Sequence, residues 1–187
     1  RGAALRRALT TRPLATLFVV GLLVRAMGWL ATPDRDSPFD ATYQGDAPYW
    51  LEQAAGRGGL ESLLPFRPPA MAWLTRWLAD SDGGASNLRL LMLVLGAAIA
   101  PLLFRAVRDR ANERAAWIAG LLCVASQPLL QLGSGVHSEL PYLLLFLLSF
   151  DDHLRLLRGA SPAIAARWSA AQALAFLFRA DHFLYWL

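Results

Sequence analysis

Six charged side chains stand where an apolar sequence has little reason to keep them: Arg25, Asp46, Arg67, Glu139, Arg179 and Asp181. A carboxylate at a membrane surface can take the proton from an attacking hydroxyl. A planar guanidinium fork can hold a phosphate anion through two parallel hydrogen bonds. Together these residue types suit a reaction in which a hydroxyl is deprotonated and a phosphate is held. Each residue also has a plainer role. Asp46 can cap a helix, at a value of about 1 kcal/mol. Glu139 and Arg179 can form a mutual ion pair, and Arg25 can extend to the outer headgroups. His137, close to Glu139, suits an interfacial hydrogen bond to backbone. His153 and His182 show no ligand spacing, and the single Cys123 lies in an apolar block, so no metal ligands and no disulfide framework are assigned.

The elements that must position these groups are read from the apolar blocks. Hydrophobic residues make up 56% of the 187, and they fall in long runs rather than alternating. Such runs approach the roughly 20 residues that a helix needs to cross a bilayer. Five membrane segments are expected: Pro13 to Ala31, Leu90 to Phe104, Ala115 to Val136, Leu140 to Phe150, and one from Ala163 running off the end. The fourth is short and recruits Ser138, Glu139 and the stretch from His153 to Leu157 at its ends. The first follows a basic stretch but lacks a small-x-small cleavage site, so it reads as a retained anchor. The chain opens without Met and closes inside an apolar block, which reads as the N-terminal part of a longer protein.

All of the basic residues are arginines, and they cluster between the apolar blocks, where the positive-inside bias places them. This distribution argues against nucleic acid as a partner. Arg1, Arg6, Arg7 and Arg12 precede the first segment, and Arg105, Arg108, Arg110 and Arg114 lie between the second and third. Those faces are expected to be cytoplasmic, with the N-terminus inside. The connection 32–87 then lies outside. In it, Asp46 followed by Ala47-Pro48 and a run ending at Gly56 reads as a capped short helix. Pro68-Pro69 opens a second helix, in which Met71, Leu74 and Leu78 with Trp73 and Trp77 give an apolar face with aromatic anchors. Tyr49 and Trp50 are likewise expected as interface anchors.

Taken in order, these motifs resemble the GT-C membrane glycosyltransferases, in particular the family 39-like branch with protein O-mannosyltransferases and aminoarabinose transferases. Gly45-Asp46-Ala47-Pro48-Tyr49-Trp50 is similar to that branch's Asp-x-x-Tyr element on a juxtamembrane helix. Phe66-Arg67-Pro68-Pro69 resembles the first half of its basic-Pro-Pro element. Ser138-Glu139 resembles a Ser-Glu opening a later membrane helix, and Phe178-Arg179-Ala180-Asp181 a Thr-Arg-Pro-Glu. Arg25 falls where many relatives place an Arg. The departures are Ala47, where many relatives have a second acid, and Ala180, where Pro is usual.

The resemblance implies an all-α, polytopic transmembrane bundle with juxtamembrane helices in the first outer loop. It implies transfer of a sugar from a polyprenyl-phosphate donor to a hydroxyl of a lipid, protein or glycan acceptor at the outer face, with inversion. Asp46 is then the catalytic base, and Arg67, Arg179, Arg25, Glu139, Asp181 and Tyr49 bind substrate. No cofactor is assigned from the pattern, and a divalent cation stands as an open option. Arg-only usage points to a bacterial inner membrane. Two other readings stand beside this one: a transporter or flippase-like module, and a catalytically inactive GT-C scaffold.

Overall fold

A computed structural model describes residues 12–31, 50, 69–78, 86–159 and 161–179. Among these residues the chain is all-helical. The helices are α1 Pro13–Ala31, α2 Pro69–Leu78, α3 Ser86–Arg108, α4 Glu113–Ala125, α5 Gln127–Ser134, α6 Glu139–Leu156 and α7 Pro162–Phe178. Proline supplies several starts, since its missing N–H costs nothing in a first turn and its ring presets the helical φ. It opens α1, α2 and α7. The start of α4 is capped instead by Asn112, whose side chain accepts from the Ala115 N–H at 2.9 Å. Asn112→Ala is expected to cost about 1 kcal/mol in thermal unfolding, whereas Asn112→Asp should leave the midpoint unchanged.

Contacts between helices fix an up-and-down order. Leu17 of α1 packs at Gly120 of α4, and Arg25 packs at Gly133 of α5, so α1 runs parallel to the α4–α5 pair. Phe104 meets Trp117 edge-on at 5.3 Å while Arg89 reaches Ser134, so α3 runs the other way. Arg167 bonds Asp152, Gln172 bonds Ser149 at 2.7 Å and Arg179 bonds Glu139, which sets α7 antiparallel to α6. The core lies where α1, α3 and α4 meet, around Leu17, Met92, Phe104 and Ala116. The outer faces stay apolar: Leu23, Met27 and Leu30 of α1 and Ile118, Leu121 and Leu122 of α4 are all more than half exposed. Water does not tolerate patches of that kind, and lipid does.

Among the described residues two helices, α1 and α3, are long and apolar enough to span a membrane, and α4 with α5 makes a third if counted as one bent span. The chain is therefore read as a membrane protein, with two or three such spans among the described residues. Helix α6 carries Glu139, Asp151, Asp152 and Arg155, and α7, the described part of the last expected segment, has 17 residues, so among the described residues neither meets the same measure. The third segment, expected as one run from Ala115 to Val136, is instead broken at Ser126 with a bend of 52°. Pro128 explains the break, because it has no N–H to offer Val124 and its ring crowds that carbonyl. The outer-loop helix α2 also departs from expectation. Met71 and Thr75 are buried, while Trp73 and Trp77 are 54% and 82% exposed, so the tryptophans occupy a different face from Met71. Trp50, expected at the interface, is buried in the core.

Candidate functional site

Two of the charged groups singled out in sequence come together at one end of the bundle. Glu139 opens α6 and Arg179 closes α7, and because these helices are antiparallel their ends coincide. The Arg179 Nη1 donates to the Glu139 Oε1 at 2.7 Å. The pair is partly open, with the two side chains 29% and 42% exposed. Tyr142, one turn into α6, lies beneath the guanidinium at 6.0 Å from its ring centroid. Ser138 Oγ lies 3.5 Å from the other Glu139 oxygen. The mutual ion pair read as an alternative in the sequence is thus present, and it is compatible with either a structural or a substrate-facing role.

Arg25 behaves differently from the expectation that it could extend to the headgroups. Only 2% of it is exposed, and it turns inward. Its Nη1 donates to Gly21 O at 3.3 Å, and its Nε and Nη2 have no hydrogen-bond partner among the described residues. Glycines from three helices make room for it. A Cβ at Gly96 would lie 2.7 Å from the Arg25 Nε, one at Gly133 3.1 Å from Nε, and one at Gly21 3.4 Å from Nη1. The carbonyl end of a helix attracts cations, and Gly133 lies in the last turn of α5, which favours the guanidinium there.

Arg89 is a residue that sequence reasoning treated only as a boundary. It is 3% exposed, its Nε donates to Ser134 O at 3.1 Å, and its guanidinium carbon lies 5.6 Å from the Trp29 ring centroid. Two buried arginines from different helices therefore close on the same carbonyl end of α5, next to the loop that leads to Glu139. The signal for Arg89 was its position at the edge of an apolar block, the same signal that singled out Glu139. Asp46, Tyr49, Arg67 and Asp181 lie outside the described residues.

Between α3, α4, α5 and α6 runs a cavity of about 410 Å³, lined by Ile99, Leu103, Ala119, Leu122, Cys123, Ser126, Leu129, Leu143 and Leu147. Its walls are almost wholly apolar, and the break at Ser126 opens onto it. Among the described residues no three His, Cys, Asp or Glu side chains converge in a way that could hold a metal ion. Compared with protein-family models, with curated proteins and with solved structures, the chain matches none.

Proposed function

We propose that this chain is the GT-C-like part of a membrane glycosyltransferase that moves a sugar from a polyprenyl-phosphate donor to an acceptor hydroxyl at the outer face of a bacterial inner membrane. The observation that carries this reading is the Glu139–Arg179 contact. It unites two of the ordered motifs across 40 residues of sequence, at the end of the bundle where the loop bearing Asp46 and Arg67 departs and returns. In the proposed reaction Asp46 accepts the hydroxyl proton as the acceptor oxygen attacks the anomeric carbon. The bond to the phosphate oxygen breaks, configuration inverts, and polyprenyl phosphate leaves. Arg67 and Arg179 hold that phosphate, while Glu139 and Asp181 orient Arg179 or the sugar hydroxyls, and Tyr49 completes the donor site; Arg25, 2% exposed and enclosed by Gly21, Gly96 and Gly133, is not part of it. The apolar cavity beside Ser126 has the chemistry to receive an isoprenoid chain.

The test is transfer of labelled sugar by the full-length protein in lipid nanodiscs, read as polyprenyl phosphate released. Arg179→Gln removes a charge-assisted contact to phosphate, worth roughly 1.5–3 kcal/mol, so kcat/KM should fall about 10- to 100-fold. The unfolding temperature should barely move, since a partly exposed pair contributes only about 0–1 kcal/mol to stability. A variant with a lowered unfolding temperature and full transfer would make the pair structural. One feature favours the transporter reading instead: the broken α4–α5 helix, since transporters build their sites at such breaks. Acceptor-independent movement of polyprenyl-phosphate sugar across proteoliposome membranes, without transfer, would establish that alternative.

A further inference from the structure

The opposite end of the bundle carries a charge imbalance that the proposed reaction does not use. There the start of α1, the α3–α4 connection, the end of α6 and the first turns of α7 bring together eight arginines, Arg12, Arg105, Arg108, Arg110, Arg114, Arg155, Arg158 and Arg167, against four carboxylates. The carboxylates are taken up unevenly. Asp151 receives both Arg110, at 2.6 Å, and Arg105, at 3.7 Å. Asp152 is bound by Arg167, and Asp109 by the neighbouring Arg108 at 3.3 Å. Arg114, Arg155 and Arg158 are exposed and form no ion pair among the described residues. Leu157, between Arg155 and Arg158, is 72% exposed.

From this we infer that the arginine collar at the α3–α4 and α6–α7 end is a binding surface for the phosphate headgroups of anionic phospholipids. Three features of the collar fit that partner. It sits where the apolar faces of α1 and α4 end, which is headgroup depth for a helix that crosses a bilayer. Its unpaired groups are guanidiniums, whose forked donors match a phosphate better than a point charge does. And Leu157 places an exposed apolar side chain among them, a combination that suits the boundary between headgroup and acyl chain and has no use in open water. The Asp109, Asp151 and Asp152 pairs hold four of the arginines in place, leaving the exposed Arg114, Arg155 and Arg158 free to engage lipid. This inference rests on the membrane reading and is independent of the transferase proposal.

The experiment uses the full-length protein in phosphatidylcholine nanodiscs doped with increasing phosphatidylglycerol, with thermal unfolding and native mass spectrometry of retained lipid as readouts. Phosphatidylglycerol should raise the unfolding temperature and remain bound, with an effect that shrinks as salt is raised, while inorganic phosphate at the same concentration should do neither. The Arg114→Gln/Arg155→Gln/Arg158→Gln variant should lose affinity for phosphatidylglycerol on the order of 100-fold, because each arginine near a membrane surface contributes roughly fivefold. The matching triple Lys variant keeps the charge and should keep most of the affinity, so a failure of the Gln variant to fold does not leave the question open. Equal stabilisation by both lipids, an equal effect of free phosphate, or undiminished binding by the Gln variant would each overturn the assignment.

Discussion

Gly96→Leu is expected to destabilise the protein by about 3 kcal/mol, through overpacking around a guanidinium that has nowhere to go. The first added carbon alone would sit 2.7 Å from the Arg25 Nε and 3.2 Å from its Cδ. A flexible side chain could ordinarily swing aside, but Arg25 is hemmed in from the far side as well. A Cβ at Gly133 would already meet its Cδ and Nε at 3.1 Å, and Gly21 O is bonded to its Nη1. Leucine is a better helix former than glycine by nearly 1 kcal/mol, and that gain is too small to offset the clash. The second site makes the result interpretable. Arg25→Met removes a buried guanidinium of which two nitrogens lack partners among the described residues, so on its own it should leave stability unchanged or raise it by about 1–4 kcal/mol. In the Arg25→Met background, Gly96→Leu should cost less than half of what it costs in the wild type. Thermal unfolding of the four proteins gives the coupling, and additive effects would mean that Gly96 and Arg25 are not in contact.

That arginine also shows where sequence reading ran out. Whether a charged side chain near a helix end extends to water or turns inward depends on what faces it, and the faces belong to Gly96 and Gly133, 71 and 108 residues away in the chain. No local pattern carries that information. The helix of Arg25 itself was legible in full: α1 runs from Pro13 to Ala31, as its uninterrupted apolarity and its leading proline dictate. The ends of α3 were not, since Ser86 and Arg108 lie a turn beyond the expected Leu90 and Phe104. Arg89 and Arg105 flank the expected segment, yet a helix tolerates arginine at its ends, and here Arg89 is buried against Ser134. The break at Ser126 was missed for a different reason. Apolarity measures transfer to lipid and is blind to the backbone donor that Pro128 removes. The Glu139–Arg179 pair was anticipated as a pair because two costly charges in apolar surroundings stabilise each other, and antiparallel packing of adjacent helices brings their ends together.

Under the proposed transferase reaction, the largest effect on activity is expected at Asp46. Asp46→Asn should reduce transfer by about 10²- to 10⁴-fold, the usual contribution of a positioned general base. The substitution is chosen because it divides the two roles open to this residue. Asparagine accepts hydrogen bonds from helix N–H groups about as well as aspartate does, so a cap survives the change and the unfolding temperature should stay where it was. The amide cannot take up a proton from the acceptor hydroxyl, so a base does not survive it. Asp46→Ala removes both functions and should add a loss of about 1 kcal/mol in stability to the loss of transfer. Substrate affinity discriminates further: a base acts as the hydroxyl attacks, so kcat should fall while donor KM remains close to wild type. Full transfer by the Asn variant with reduced stability in the Ala variant would identify Asp46 as a cap alone. The proton would then have to go elsewhere, and Glu139, already 2.7 Å from Arg179, is poorly placed to take it while that pair is intact.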